Sequence, residues 1–316
     1  MCKYIEEVVD NKFLKETMGI LSFPREITDN NTCLILVNAG TRSRIGPHRL
    51  YTELARRFSS IGYTTLRYDS VCTGDSLRKV QNYDLVDELF LEVEKGLFVD
   101  GLMDCVEMIL ERIPEKKIIL GGLCGGAMTS VYTYIDLPKH IKSQIDGFFL
   151  LGIPIFNLQV LGKKAPLIPE VADSIAKGYL KKIFDLDSWR NLLKGGTDFR
   201  LALNSIYYSL LNKIMKRNDD YPPNINIKLV KAFEQIAQDK KRLFFGYGEH
   251  DILLKEYESG FEQFIANNVK SIKTLDERCL KKFVASDDSH NLFYDRSRER
   301  LVSTFDGWRK DPYTVI

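Results

Sequence analysis

The sequence has no long apolar run. Hydrophobic residues make up 44% of its 316 positions, yet no uninterrupted stretch approaches the about 20 apolar residues that a membrane-spanning helix needs. The first ten residues carry several charges and lack the apolar core of a signal peptide. We therefore expect a cytoplasmic protein without a membrane span.

An excess of charge of either sign is also missing. The 45 basic and 43 acidic residues give a net charge of +2, which gives no reason to expect nucleic acid or an anionic membrane as a partner. The six cysteines show no C-x-x-C pair and no metal-ligand spacing. Residues 121–126 lack the spacing of a dinucleotide-binding fingerprint. We expect free thiols, no metal and no cofactor, and nothing in the sequence indicates an oligomeric state.

What the sequence does contain is an alternation of buried strands and amphipathic helices. Short apolar runs predict strands at 4–9, 17–23, 32–38, 64–68, 118–120, 147–152, 241–247 and 280–286, and helical spacing predicts helices at 49–61, 85–94, 98–113, 127–135 and 296–308. The first two strands are predicted to form an antiparallel hairpin. This order predicts an α/β fold with a mostly parallel sheet covered on both faces, built from residues 1–152 and 241–316.

The alternation stops between residues 153 and 240. Helical spacing at 171–184, 201–217 and 227–238 predicts a helical insert between two strands of the sheet. Ligands bind at the carboxyl ends of the strands in open α/β sheets. We therefore interpret the insert as a cap over that edge. The alternative is a subdomain that only stabilises the protein or mediates dimerisation.

Cys124 lies in a pattern that is typical of catalytic nucleophiles. Residues 122–126 read G-x-C-x-G, between a predicted strand and a predicted helix. This is the nucleophile-elbow pattern with sulfur in place of the usual serine oxygen, and its sharp turn requires small residues on both sides. The alternative is a buried core thiol, because free cysteine is among the most buried residue types.

The order of the elbow's partners along the chain selects a histidine and an acid. In this class the nucleophile comes first, then the acid, then the histidine. Of the histidines at positions 48, 140, 250 and 290, only His290 follows the last predicted strand. Asp251 follows the predicted strand 241–247, and Glu249 is the competing carboxylate. Asp287 and Asp288 are interpreted as part of a polar loop.

Two backbone groups are candidates for an oxyanion hole. One is the N–H of Gly125, directly after the nucleophile, and the other is the N–H of Thr41, in the loop after the strand 32–38. His48 lies in the same loop and is a candidate for lining the site. A helix N-terminus and a nearby histidine would both favour the thiolate form of Cys124.

Four stretches of the sequence, at 37–51, 66–76, 121–127 and 188–196, carry a resemblance to a known family. Together they resemble α/β-hydrolases of the serine-aminopeptidase-like group, most closely those associated with bacterial exosortase systems and related thioesterase-like hydrolases. The resemblance covers about residues 4–310. It implies the α/β-hydrolase fold with a helical cap, and catalytic roles for Cys124, Asp251 and His290. This branch commonly has cysteine as its nucleophile and often a polar residue where this chain has Gly125.

The expected activity is hydrolysis of an ester or thioester through an acyl-enzyme. The expected partner is a small-molecule acyl substrate, with carrier-linked and CoA-linked thioesters both open. Trp189 and His48 are candidates for contact with it, and the aromatic residues of the insert fit an apolar acyl group. The alternatives are an acyltransferase with the same triad, a non-catalytic binding protein on this scaffold, and a redox-sensing thiol protein.

Overall fold

The computed structural model describes residues 3–10, 17–26, 30–76, 86–157, 159–160, 163–164 and 224–311. Contacts between residues divide the chain into two compact units. The first comprises Met1–Ile155 and Ile227–Ile316, and the second comprises Phe156–Asn226. The helix Ile227–Gln238, which the sequence analysis placed in the insert, lies in the first unit. The other two predicted insert helices, 171–184 and 201–217, lie outside the described residues.

In the described part of the first unit, eight strands form one sheet. In chain order the strands among the described residues are β1 Tyr4–Val9, β2 Met18–Pro24, β3 Thr32–Val37, β4 Thr64–Asp69, β5 Lys117–Leu123, β6 Ile145–Leu151, β7 Gln159–Val160, β8 Lys163–Lys164, β9 Arg242–Gly248 and β10 Leu280–Ala285. The order across the sheet is β1-β2-β4-β3-β5-β6-β9-β10. β2 pairs antiparallel with β1 and β4, and the remaining pairs are parallel. In the second unit, β7 and β8 form a short antiparallel pair.

Helices connect the strands and cover the sheet. They are α1 Leu50–Ser60, α2 Val86–Lys95, α3 Val99–Arg112, α4 Gly125–Asp136, α5 Lys139–Lys142, α6 Ile227–Gln238, α7 Ile252–Glu256, α8 Ala266–Asn268, α9 Lys270–Lys273 and α10 Asp295–Lys310, with short 3₁₀ turns at Pro47–Arg49 and Glu277–Cys279 and a π-helix at Tyr257–Ile265. Every residue of α4 from Gly125 to Tyr134 is buried, because α4 packs between the sheet, α3 and α6. Among the described residues, no helix combines the length and the apolar character needed to cross a bilayer.

On the opposite face, α1 and α10 pack against each other and against an aromatic cluster. The Phe305 ring of α10 lies 4.9 Å from Phe149 of β6, 5.1 Å from Phe244 of β9 and 5.5 Å from Phe58 of α1, measured between ring centroids. Full burial of such a side chain is worth about 1.5–3 kcal/mol. The predicted mostly parallel sheet with helices on both faces is confirmed. The aromatic cluster packs α1 and α10 against the central strands β6 and β9.

The strand before Cys124 is longer than the predicted strand 118–120. β5 begins at Lys117 and continues through Gly121 and Gly122 to Leu123. Neighbouring backbone approaches Gly121 and Gly122 so closely that neither position has room for a side chain. A Cβ atom on Gly121 would lie 2.6 Å from the Phe149 carbonyl oxygen, and one on Gly122 would lie 2.7 Å from that of Val37. The glycines therefore allow tight strand and helix packing directly before the elbow, and α4 begins at Gly125.

Candidate active site

Cys124 occupies a strained turn between β5 and α4. Its φ is 55° and its ψ is −116°. Residues other than glycine rarely adopt this backbone conformation, which costs about 1–3 kcal/mol of conformational strain. Two backbone bonds hold the turn: the Cys124 N–H donates to the Leu151 carbonyl at 2.8 Å, and the Met128 N–H donates to the Cys124 carbonyl at 3.1 Å. Such strain points to a function for the side chain that the turn presents.

The thiol of Cys124 is partly exposed, unlike most other described cysteines. Cys33, Cys105 and Cys279 are buried. Burial raises the pKa of Cys33 to about 12, so that thiol is inert at neutral pH. The interpretation of Cys124 as one more core thiol does not agree with its exposure or with its backbone conformation.

His290 and Asp251 form a hydrogen-bonded pair. His290 Nδ1 lies 2.8 Å from Asp251 Oδ2, and the Asp251 side chain is only 2% exposed. The second oxygen, Oδ1, accepts the Leu253 N–H at 3.0 Å and caps α7. With both oxygens engaged, the carboxylate is fixed in orientation. It therefore holds the imidazole with its proton on Nδ1 and leaves Nε2 free for another partner.

That partner is Cys124, whose side chain lies beside the His290 ring and interacts with it. Burial of the ring works against the imidazolium. The hydrogen bonds to Asp251 and Cys124, together with their negative charges, outweigh burial and raise the pKa of His290 to about 10. At neutral pH the imidazole therefore keeps its proton, which places a positive charge beside the sulfur. The structure thus brings together the three residues that the sequence analysis selected as a triad.

The competing groups lie elsewhere. Glu249 is exposed and accepts the backbone N–H of Asp287 at 3.0 Å. His140 and His250 are exposed as well. Glu249, His250 and Asp287 bring their ligating atoms within 4.8 Å of one another, and the Arg296 guanidinium lies 3.6 Å from Asp287. Exposed polar groups of this kind are common on surface loops, and we assign no metal to them.

Gly152, directly after β6, is a site residue that the sequence analysis treated only as the end of a strand. Its φ is 46°, and a Cβ atom there would lie 2.6 Å from His290 Cε1, 2.8 Å from Nδ1 and 3.2 Å from Asp251 Oδ2. The Gly152 N–H donates to the Gly246 carbonyl of β9 at 2.8 Å. The imidazole therefore packs directly on the Gly152 backbone, and only glycine leaves room for it.

Asp288 organises the loop that carries His290. This residue, which the sequence analysis interpreted as part of a polar loop, is 1% exposed. Its carboxylate accepts the N–H groups of Ser289 and Phe293, each at 2.8 Å, and that of Tyr294 at 3.1 Å. Burial works against ionisation, but these bonds and the Ser297 hydroxyl lower the pKa of Asp288 below its ordinary value. The ionised Asp288 carboxylate therefore stabilises the folded state at pH values above the ordinary carboxyl pKa. This stabilisation is lost as the pH falls through the lowered pKa of Asp288.

The loop after β3 approaches the elbow. A Cβ atom on Gly125 would lie 3.2 Å from Gly40 Cα and 3.4 Å from Gly40 N, so the segments carrying the two candidate oxyanion donors, Gly125 and Thr41, are neighbours. Asn38 holds this loop: its Nδ2 donates to the Gly40 carbonyl at 2.7 Å, and its Oδ1 accepts the Ser70 N–H at 3.2 Å.

Farther along the same loop, Arg44 is tied to β4. Its backbone N–H donates to Asp69 Oδ1 at 2.6 Å, and its guanidinium pairs with Asp69 and Asp75. These bonds hold the second half of the loop.

The two candidates for substrate contact have different outcomes. His48 is exposed, and its ring meets Phe293 edge to face at 4.9 Å between centroids. The His48 carbonyl accepts a bond from the Arg298 guanidinium at 3.1 Å, and Arg298 Nε donates to the Leu292 carbonyl at 2.8 Å. His48 thus joins the β3 loop to the histidine loop. Trp189 lies outside the described residues, and its role stays a prediction.

No protein-family model and no curated protein matches the sequence, but solved structures match it along nearly its whole length. A dienelactone hydrolase from Anabaena variabilis is 10% identical, with a TM-score of 0.54 over 97% of both chains. The esterase Pf2001 from Pyrococcus furiosus is 15% identical, with a TM-score of 0.51 over 97% of this chain and 93% of that one. An alpha-beta serine hydrolase homologue from Coxiella burnetii is 13% identical, with a TM-score of 0.50 over 95% of this chain and 96% of that one. Together with the sheet order, these likenesses show that the chain adopts the α/β-hydrolase fold.

Proposed function

We propose that this protein is a hydrolase that cleaves an ester or thioester bond of a small acyl substrate, with Cys124 as nucleophile, His290 as base and Asp251 as the residue that orients the base. One observation carries the proposal: His290 is hydrogen-bonded to a buried carboxylate and lies beside the side chain of Cys124, which is partly exposed on a strained turn. Solved structures of the same fold that are named as hydrolases and esterases support it.

The reaction would proceed in two halves. The Cys124 thiolate attacks the acyl carbonyl carbon, and the N–H groups of Gly125 and Thr41 hold the developing oxyanion. The imidazolium of His290 gives its Nε2 proton to the leaving oxygen or sulfur, which departs as an alcohol or a thiol and leaves an acyl-thioester. His290 then takes a proton from water, the resulting hydroxide attacks the acyl carbon, and the carboxylic acid and the thiolate are released. Asp251 holds the imidazole in the same orientation throughout both halves.

A sulfur nucleophile suits thioester substrates in particular. Attack of a thiolate on a thioester exchanges one thioester for another, so acylation of Cys124 by an acyl carrier or an acyl-CoA is nearly balanced in energy. Transfer of the acyl group to an amine or an alcohol would use the same acyl-enzyme. The third reading, a non-catalytic binding protein, predicts that the three side chains do not meet, whereas His290 contacts both of the others.

The test is turnover of matched oxoesters and thioesters. Hydrolysis of p-nitrophenyl esters and of S-acyl-N-acetylcysteamine thioesters, from acetyl to dodecanoyl, is measured with and without an added primary amine. We expect the free acid to be released from both series, with one preferred chain length. If none of these compounds is turned over, and iodoacetamide labels Cys124 no faster than an ordinary thiol, the proposal is wrong. An amide as the main product would reassign the protein as an acyltransferase.

The raised pKa of His290 predicts an unusual pH dependence of Cys124 alkylation. The ring keeps its proton until the pH approaches about 10, so a positive charge stays beside the sulfur across the neutral range. A neighbouring cation favours the reactive thiolate, and we expect iodoacetamide to alkylate the parent faster than His290→Gln at pH 7. In His290→Gln the rate should rise with pH around the ordinary thiol pKa of about 8.5. Peptide mass spectrometry locates the label, and identical pH profiles for parent and variant would contradict this effect of His290.

Gly152→Ala is expected to displace the imidazole. The added methyl group would overlap His290 and would also sit at a positive φ, and displacement of a catalytic group by about 1 Å can cost about 100-fold in rate. We expect kcat/KM for ester hydrolysis to fall by about that factor. Gly101→Ala is the matched control, because a methyl group there meets no atom within 4 Å. Equal activity of the two variants would show that the ring does not need the space that Gly152 leaves.

A further inference from the structure

The hydroxyl group of Tyr51 bridges the ends of two neighbouring strands directly before the elbow. The side chain is fully buried. Its Oη donates to the Val37 carbonyl at 2.6 Å and accepts the Leu123 N–H at 2.6 Å. Val37 is the last residue of β3, and Leu123 is the last residue of β5. Burial raises the pKa of Tyr51 far above its ordinary value, so the hydroxyl keeps the proton that it donates.

Two backbone segments approach the Val37 carbonyl to which Tyr51 donates. β5 lies so close that a Cβ atom on Gly122 would be 2.7 Å from Val37 O. The first turn of α4 lies closer still, because a Cβ atom on Gly126 would overlap that same oxygen. Gly40 follows Val37 by three residues, and Gly125 follows Leu123 by two residues. The Tyr51 hydroxyl therefore lies at the point that fixes the distance between the segment leading to Gly40 and the segment leading to Gly125.

We propose that Tyr51 is a positioning residue that fixes the distance between the two halves of the oxyanion hole. The inference rests on the proposed function, because the oxyanion donors are the N–H groups of Gly125 and Thr41. Such donors act only when they lie 2.7–3.1 Å from the oxyanion. Without the hydroxyl, the Leu123 N–H and the Val37 carbonyl lose a buried partner, and the strand ends shift to find another.

Tyr51→Phe separates this role from general destabilisation when two reactions of Cys124 are compared. Hydrolysis of p-nitrophenyl esters uses the oxyanion hole, whereas alkylation by iodoacetamide occurs at a saturated carbon and does not. We expect kcat for ester hydrolysis to fall about 10-fold to 100-fold, with KM and the alkylation rate within about twofold of the parent values. Tyr63→Phe is the control, because the Tyr63 hydroxyl bonds Asp306 at 2.9 Å, on α10 and away from the elbow.

A second variant protects the test against poor folding of Tyr51→Phe. With p-aminophenylalanine at position 51, the amino group can donate to Val37 and accept from Leu123, and we expect it to restore most of the ester hydrolysis. Unchanged ester hydrolysis in Tyr51→Phe, a parallel fall of hydrolysis and alkylation, or no restoration by the amino group would each overturn the inference. If the parent hydrolyses no ester at all, the proposed function fails first and the inference falls with it.

Discussion

Cys124→Ala is expected to lower kcat/KM for ester hydrolysis on the order of 10⁵-fold, which is the scale seen when a catalytic nucleophile is removed. Among the described residues, Cys124 is a partly exposed cysteine whose side chain interacts with His290. Without it no acyl-thioester can form, and water must attack the substrate directly. What activity remains would come from the oxyanion donors and from substrate binding.

Cys72→Ala is the matched control for this variant. Cys72 is also partly exposed and has a positive φ of 63°, so replacement by alanine makes a similar change to the backbone environment and to the number of accessible thiols. We expect the control to keep the parent kcat/KM. Activity in Cys124→Ala close to that of Cys72→Ala would show that the nucleophile is another group.

His290→Gln is the second variant with a large expected effect. Glutamine can still bond to Asp251, but it can neither take the thiol proton nor donate one to the leaving group. Loss of a base in this arrangement costs a factor on the order of 10⁴ to 10⁶ in kcat. The variant should fold normally, because the buried Asp251 keeps its bond to the Leu253 N–H.

His250→Gln provides the comparison for the base. This neighbour of Asp251 is exposed, and its replacement should leave kcat unchanged. The two variants are compared for ester hydrolysis across the pH range. If His290→Gln keeps more than a few per cent of the parent activity, or if His250→Gln loses as much, the assignment of the base is wrong.

The residues of the proposed triad could be selected from the sequence because their signal is local and ordered. The pattern around Cys124 combines a short-range motif with a strand before it and a helix after it, and the acid and histidine follow in a fixed order along the chain. The mostly parallel sheet, the antiparallel hairpin and the closing helix could likewise be predicted from periodicity. Each of these conclusions depends only on the pattern within one stretch of sequence or on the order of several stretches along the chain.

The supporting residues could not be found in this way, because their roles depend on contacts between distant segments. Tyr51 meets Leu123 across 72 positions, and in the sequence it was only the last residue of the stretch 37–51 that carries the resemblance. Gly152 ended a predicted strand, and its contact with His290 appears only when the sheet is assembled. Asp288 looked like one of two loop carboxylates until its bonds to the histidine loop were known. Burial and packing, which decide these roles, leave little trace in a single sequence.

The central claim is that the acyl group passes through a covalent bond to Cys124, and intact mass measured shortly after mixing with a p-nitrophenyl ester tests it most directly. The parent should gain the mass of one acyl group, with the label mapping to the peptide that contains Cys124. Cys124→Ala should gain nothing, and His290→Gln should acylate far more slowly. Turnover of the ester by the parent without any adduct on Cys124, or an equal adduct on Cys124→Ala, would contradict the account.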